Sequence, residues 1–369
     1  MTVLPQALAP CGGRGLARVR EGISHIGLDA ILLSHAANIR YLSGFTGSAG
    51  VLLVTRLDGA FLITDFRYEE QARDQVPADI SVWTARDGVW AELGRLLPSL
   101  RGVRRIGFEP ERLSVRDREE LGERCGGILW DRAPKLVEAL RSRKQPEEVE
   151  RIRRAARIAQ RGLEAVLERT DEGVTERQLA AELDYALRRE GSGPLPFESI
   201  VAGGPRSSLP HAEPGDRPLR EGDFLLLDFG ATVDGYCCDT TRTVVLGRAR
   251  PWQREMYESV LEAQQAAIAA IVPGVAAREV DRSARRALQS CGLQDRFGHS
   301  TGHGIGLEVH EDPRLSGSSS DVLLPGHVVT VEPGVYLPGR GGVRIEDDVA
   351  VAEHGAVLVT AGAGGIVEL

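Results

Sequence analysis

Lysine is almost missing from this chain of 369 residues: only Lys135 and Lys144 occur, and arginine carries nearly all the positive charge. We read that as compositional bias in coding rather than a device. A basic balance is lacking too, since 45 Lys and Arg face 53 Asp and Glu for a formal net charge of −8. This excludes the phosphate-gripping surface of a nucleic-acid binder and docking on an anionic membrane. No apolar run approaches the roughly 18–20 residues of a membrane span. Residues 1–14 have no basic segment followed by an apolar core, which predicts the absence of a secretory leader. The five cysteines, Cys11, Cys125, Cys237, Cys238 and Cys291, are odd in number and scattered without framework spacing. That pattern suits a reducing compartment better than a disulfide scaffold. No repeat with a period of about 20–50 residues is present, and no low-complexity tract beyond 316–320. The absences together predict a soluble, cytoplasmic protein.

What is present is ordinary in bulk, with 42% hydrophobic and 27% charged residues. The length exceeds one typical core and predicts two domains. Strand-like runs at 29–34, 49–55, 60–64, 80–83 and 105–108 alternate with helical periodicity over 16–26, 66–74, 89–97 and 115–125. That alternation suggests an α/β domain with a mixed sheet. Pro134 and then SRKQP at 142–146 break it, so the domains are expected at 1–140 and 141–369. Pro146, with Glu147 and Glu148 in the first turn, opens a helix over 146–169. A second helix, 175–189, has Thr175 as N-cap, with its acid one residue on rather than at the capping-box position. Strands at 224–229, 241–246, 328–332, 343–346 and 349–351 then surround helices 252–272 and 276–291. This predicts an α+β layout, a curved sheet with helices on one side.

The chemistry-bearing residues lie in this second half. In STGHGIGLEVHE (300–311) glycines frame His303, and glycine lets a backbone approach its neighbours closely. His310 closes the stretch, followed at once by Glu311. The apolar run FLLLD ends in Asp228, and Asp239 follows a glycine–tyrosine turn. VVTVEPG places Glu332 at the end of another strand, stopped by Pro333 and Gly334, and GGVRIED does the same with Glu346. A lone buried carboxylate is costly unless it is paired or bound to a cation. Asp228, Asp239, His303, Glu332 and Glu346 are therefore read as metal ligands. An oxygen-rich set with one imidazole suits Mn²⁺, with Zn²⁺ or Co²⁺ as alternatives. Four carboxylates exceed the needs of one tetrahedral zinc, and two cations about 3.5–4 Å apart fit the count better.

The segments LLLDFGATVDGYCCDTTRT, FGHSTGHGIGLEVHEDP and TVEPGVYLPGRGGVRIEDD resemble the M24 metallopeptidase family, and within it the Xaa-Pro branch of aminopeptidase P and prolidase. NIRYLSGFTGSAG and TDFRYEEQA resemble that branch's creatinase-like N-terminal domain. The resemblance implies an α+β chain, with a C-terminal pita-bread catalytic domain preceded by an α/β creatinase-like domain, and a homodimer. It implies that Asp228 binds one metal in bidentate fashion, that Asp239 and Glu346 bridge, and that His303 and Glu332 hold the other metal. Glu332 would also be the general base on the hydroxide shared by the two ions. His211, in SSLPH, and His310 would contact substrate and the tetrahedral intermediate, while His299 and Arg344 would line the site. A fixed cation such as Arg344 also steadies neighbouring carboxylates. Where relatives usually carry glycine after the first histidine, this chain has Ala212, Glu213 and Pro214, which predicts a differently seated loop.

Blander roles stand beside these. His299 is equally readable as structural, and Tyr336 as core or as cleft wall. Cys237 and Cys238 are expected as small buried residues, Glu311 and Asp312 as solvated or helix-capping acids, and Arg40, Tyr41 and Phe45 as packing of the N-terminal domain. The expected function is a dinuclear Xaa-Pro aminopeptidase acting on proline-containing peptides. The alternative is an Xaa-Pro dipeptidase, which in the longer type clamps the dipeptide carboxylate with an arginine between the second histidine and the glutamate ligand. Here that segment is short and serine-rich, with Arg314 as its only arginine, which tilts the expectation toward the aminopeptidase. A metal-free amidinohydrolase of the same fold and a pita-bread module that binds peptides or proteins are further rivals. Five intact ligands argue against both.

Overall fold

A computed structural model describes residues 15–57 and 59–369, and the chain divides between Arg141 and Ser142 into two units. Cys11 and the leader reading of residues 1–14 lie outside the described residues.

The first unit is built on strands β1 (Ala30–Leu33), β2 (Gly50–Thr55), β3 (Ala60–Asp65), β4 (Ser81–Ala85), β5 (Arg105–Phe108) and β6 (Leu129–Arg132). They form one sheet in the order β4-β3-β2-β1-β5-β6. The β1–β2 and β2–β3 pairs are antiparallel and the others parallel, so the sheet is mixed. Successive side chains point to opposite faces, and both faces are covered. Ile31, Leu33, Leu52 and Leu62 meet α1 (Gly15–His25), α2 (Ala36–Ser43), α3 (Glu69–Gln75) and α6 (Leu136–Arg141). Leu32, Val51, Leu53 and Ile63 meet α4 (Val89–Leu96) and α5 (Val115–Arg124). Phe45 and Tyr41 pack into the first of these layers, as expected of them.

Helix α2 has no counterpart among the sequence expectations because its start is set from far away. Ser34 and His35 donate their backbone N–H groups to Glu109 Oε2 at 2.6 and 2.8 Å. Asn38 Nδ2 donates to Glu109 Oε1 at 2.6 Å and to Glu138 Oε1 at 2.8 Å, and Arg141 Nη1 donates to Asn38 Oδ1 at 2.7 Å. Donor atoms of His35, Glu109 and Glu138 lie within 4.8 Å of one another. Amide and main-chain N–H groups already occupy Glu109, so we read this as a closed structural network rather than a metal cradle.

The second unit opens with α7 (Pro146–Leu167) and α8 (Glu176–Arg189). Pro146 takes the first helical position, and Glu148 Oε2 accepts the Gln145 N–H at 2.8 Å. At α8 the capping partner is Gln178: its N–H donates to Thr175 Oγ1 at 3.2 Å and its Oε1 accepts the Thr175 N–H at 3.0 Å. Glu176 is free for another task. It is fully buried and accepts from Gly203 N, Arg206 Nε and Gly215 N, which pins both ends of the 203–215 loop.

Beyond α8, the strands sort into two sheets rather than the single curved sheet expected. One is β19-β11-β8-β7, from β7 (Ile200–Gly203), β8 (Phe224–Phe229), β11 (Thr240–Val245) and β19 (Val367–Glu368). The other is β13-β12-β14-β17-β18, from β12 (Gly302–Gly304), β13 (Glu311–Leu315), β14 (Val328–Val331), β17 (Asp347–Ala352) and β18 (Gly355–Leu358). Two ribbons complete it, β9 (Thr232–Val233) with β10 (Tyr236–Cys237), and β15 (Gly334–Leu337) with β16 (Gly341–Arg344). Each sheet carries a helix pair. Leu225, Leu227 and Phe229 of β8 pack with α7 and α8. Val329, Val331, Val349 and Val351 pack with α9 (Pro251–Ala269) and α10 (Ala277–Ser290). No helix of the described residues is long and apolar enough to cross a membrane.

Replacing Glu109 by Ala leaves the Asn38 amide and two backbone donors of the α2 start without their acceptor. Loss of about 3 kcal/mol of unfolding free energy is expected, read from the denaturant midpoint. An unchanged midpoint would show the network to be ornamental.

Candidate metal centre

Strand parity aims the first ligand. Since Leu225, Leu227 and Phe229 face α7 and α8, Asp228 faces the opposite way, toward the second sheet. Its neighbour across the antiparallel pair is Thr241. Asp239 immediately precedes β11 and is buried. The two glutamates do not sit within strands as expected. Strand β14 stops at Val331 and β16 at Arg344, and Glu332 and Glu346 occupy the breaks that follow. There the chain turns from one pairing to another, so these side chains reach across the gap between sheets. The N–H of Glu346 donates to Thr241 O at 3.2 Å, and that of Glu332 to Thr301 O at 2.8 Å.

The glycines around His303 are required by contact. A Cβ on Gly302 would lie 1.9 Å from the Thr330 carbonyl oxygen, and one on Gly304 would lie 2.4 Å from that of Asp312. The imidazole between them has its Nδ1 3.0 Å from Gly304 O. A carbonyl can only accept, so Nδ1 carries the proton and the Nε2 lone pair points away. It points at acids: Glu332 Oε1 is 3.5 Å away and Asp239 Oδ2 3.9 Å away. Burial holds His303 at a pKa of about 4, hence neutral at physiological pH. Donor atoms of Asp239, His303 and Glu346 all fall within 4.8 Å of one another.

Without a cation this arrangement is repulsive. Burial, then the charges of Glu346 and Asp228, pushes Asp239 well above the carboxylate range. Burial, then Glu332 and Asp228, does the same to Glu346. Glu332 is pushed up to about 7, chiefly by burial, with Arg344 opposing. Asp228 Oδ1 and Asp239 Oδ1 are buried with no hydrogen-bond partner among the described residues. Orphaned carboxylate oxygens and a bare imidazole nitrogen converging on one point fit a divalent cation.

A second layer holds these groups, and most of it was not foreseen. Arg344 donates from Nη2 to Asp228 Oδ2 (2.6 Å), from Nε to Thr241 Oγ1 (3.1 Å), and from Nη1 to Tyr336 Oη (2.9 Å) and Pro210 O (3.1 Å). The Thr241 hydroxyl in turn donates a hydrogen bond to Glu346 Oε2 at 2.5 Å. Tyr336 Oη also meets His299 Nε2 at 2.8 Å, so Tyr336 belongs to the site wall rather than to an anonymous core. His299 is held near a pKa of about 4 by burial, and its Nδ1 is 3.9 Å from Glu332 Oε2. Behind Glu346, Asp347 is held by Arg242, Gln264 and Thr360 at 2.7 Å each. Asp348 Oδ2 accepts the Asp239 N–H at 3.1 Å. The strong acidic signal of IEDD was visible in the sequence, but only Glu346 of its three acids was assigned a task.

The remaining residues border this cluster. His310 is exposed, and its ring centroid lies 4.4 Å from that of His303. His211 sits in an exposed turn, and its charge bears on both His299 and His310. The Arg344 bond to Pro210 O fixes the residue before His211, and Ala212 after it is buried. The turn is therefore anchored despite lacking the expected glycine. Cys237 and Cys238 are buried, and burial raises the Cys238 thiol well above its usual range. Cys238 therefore offers no thiolate.

Carboxylates and one histidine converging between two helix-backed sheets form a candidate site for divalent cations. Residues 150–353 match the metallopeptidase family M24, and residues 16–143 match the creatinase/prolidase N-terminal domain. The chain is 39% identical to the Xaa-Pro dipeptidase structure from Bacillus anthracis, covering 96% of this chain and 99% of that one with a TM-score of 0.92. It is 35% identical to the X-Pro aminopeptidase from Thermotoga maritima MSB8, over 97% and 100% of the two chains, TM-score 0.89. It is also 35% identical to the Xaa-Pro dipeptidase of Pyrococcus furiosus, over 90% and 93% of the two. The chain belongs to metallopeptidase family M24 and is an enzyme of that class.

Gly302→Ala is expected to abolish stoichiometric metal binding, because backbone rather than a mobile side chain occupies the space a Cβ needs. Elemental analysis of the purified variant at full metal content would refute this. The clustered acids also set a pH dependence. Asp239, Glu332 and Glu346 have folded pKa values above their unfolded ones. The folded state therefore binds extra protons, and metal-free protein loses stability as pH rises from the carboxylate range through about 7. Metal-free protein should melt lower at about pH 8 than at about pH 5.5, and saturating divalent cation should flatten or reverse that slope.

Proposed function

We propose that this chain is an Xaa-Pro dipeptidase that cleaves an N-terminal residue from a C-terminal proline. The observation that carries the choice is Arg314. It sits opposite His303 across β12–β13 and is exposed. Its charge bears on His303, His310 and Glu332. Among the described residues its guanidinium has no carboxylate partner, and its backbone N–H donates to Asp321 Oδ2. An uncommitted guanidinium at the rim of an anionic site suits the terminal carboxylate of a dipeptide. The tilt toward an aminopeptidase treated a lone Arg314 as too little, but one fork suffices for one carboxylate. The named dipeptidases of B. anthracis and P. furiosus support the same reading. The Xaa-Pro aminopeptidase stays as the second reading, on the likeness to the T. maritima structure.

Asp228, Asp239, His303, Glu332 and Glu346 would hold two divalent cations, best matched to Mn²⁺ by their oxygen-rich character. When bound, those cations supply Lewis acidity toward the scissile carbonyl and make the attacking water acidic enough to ionise near neutral pH. The chain supplies proton management and orientation. Glu332 takes the proton of the attacking water and returns it to the proline nitrogen as the C–N bond breaks. Expelled without a proton, the proline nitrogen would leave as a strongly basic anion, so it must receive a proton to leave. His310 and His211 donate to the substrate carbonyl region, and His299 and Tyr336 form the wall that Arg344 ties to Asp228. We further place the enzyme in the cytoplasm as a homodimer, from its charge, its cysteine usage and the family resemblance.

Asp239→Ala and Glu332→Ala should each lower kcat by about a thousandfold or more. Arg314→Ala should raise KM for an Xaa-Pro dipeptide by about 10- to 100-fold, the loss of a charged hydrogen bond. Faster cleavage of Xaa-Pro-Xaa than of Xaa-Pro by the unaltered enzyme would reverse the ranking in favour of the aminopeptidase.

A further inference from the structure

Beneath the loop that carries His310 lies an ion pair that the proposed chemistry does not use. Lys144 Nζ stands 2.9 Å from Glu311 Oε2, and the two side chains are 1% and 6% exposed. One of the only two lysines in the sequence is thus enclosed at this point, and Glu311 is neither a solvated nor a helix-capping acid. Its other oxygen, Oε1, accepts the Glu308 N–H at 3.1 Å and closes the turn over 308–311. The loop is held on its other side as well. Gly306 N donates to Glu308 O at 3.0 Å, and Cys237 N donates to Gly306 O at 2.7 Å. A Cβ on Gly306 would come within 2.8 Å of both Lys144 Cε and Glu311 Oε2, so the packing here is tight. The backbone of Lys144 is fixed in turn, its N–H donating to Gly326 O at 2.7 Å.

Stability does not explain such a pair, because apolar residues of similar volume serve as well or better than a buried salt bridge. What the pair adds is direction: a charge-assisted bond fixes one acid in one place. The residue before that acid is His310. Among the described residues the His310 ring makes no hydrogen bond of its own, touching His303 edge to face at 62°. Its placement therefore comes through the chain, from Glu311. We propose that Lys144 and Glu311 are positioning residues whose ion pair presets His310 for substrate. This rests on the reading of His310 as a substrate-contacting group.

The test uses Glu311→Gln and Lys144→Met, singly and together, in the full metal-loaded chain. Each single variant should lose about tenfold or more in kcat on an Xaa-Pro dipeptide, the scale of a misplaced contact, with KM changed by less than about threefold. The double variant should be no worse than the poorer single, because both changes remove one interaction. Metal content by elemental analysis should match the unaltered protein. Independently of turnover, histidine ring NMR on Zn²⁺-loaded protein should show the His310 signals, assigned by their loss in His310→Gln, displaced or broadened in both variants. Unmoved His310 signals, or kcat within about twofold at full metal content, would overturn the proposal. If Lys144→Met does not fold, Glu311→Gln alone decides by the same readouts, since it keeps the side-chain shape. An unaltered enzyme inactive on every Xaa-Pro peptide would sink the dipeptidase reading instead, and the NMR comparison would still judge the pair.

Discussion

Like-charge repulsion in a buried space is the constraint around which the second unit is arranged. The charge of Asp228 bears on Asp239, Glu332 and Glu346, the charges of Glu332 and Glu346 bear on Asp239, and burial removes the water that would otherwise screen them. Arg344 reaches Asp228 directly, but Oδ1 of Asp228 and Oδ1 of Asp239 have no partner among the described residues. Neighbouring side chains point the acids rather than neutralise them, as Thr241 does for Glu346 and Thr330 for Glu332. Charge balance is left to a cation. This is how a metal site differs from a structural salt-bridge cluster such as Asp347 with Arg242, where the charges close among protein groups.

That requirement also explains where the strands stop. A glutamate inside a continuous strand has its direction fixed by the pleat, whereas one at a break between pairings can be aimed by neighbours. Glu332 and Glu346 both occupy such breaks, and each is held by its backbone N–H to the carbonyl of a threonine. Strand β12 approaches so closely that only glycine fits at Gly302 and Gly304, and His303 enters between them. The candidate ligands thus lie between the two sheets, and each sheet has a helix pair packed on it.

Much of this was legible in the sequence. The apolar runs ending in acids, the Pro-Gly stop after Glu332 and the glycine frame of His303 are local signals, and they nominated the five residues proposed to hold metal. Helices α7 and α8 were equally legible, because Pro146 and Thr175 mark their starts within a few residues. Other parts were not. Helix α2 is capped by Glu109, 74 residues beyond His35, and no local pattern announces a cap from that distance. Glu311 reads as a surface acid beside Asp312 until Lys144, 167 positions away, is found against it. Tyr336 stood undecided between core and cleft because its partners, His299 and Arg344, come from separate segments.

By itself, the sequence determined the two-part α/β and α+β organisation and nominated the residue types proposed to bind metal. Period-two and period-3.6 patterns, helix starts and strand stops are written in neighbouring residues. Only the tertiary structure decided how charge is apportioned: which acid Arg344 holds, which lysine is buried, and that Arg314 has no carboxylate partner among the described residues. Those outcomes depend on distances between residues a hundred or more positions apart, where the sequence carries types but no geometry.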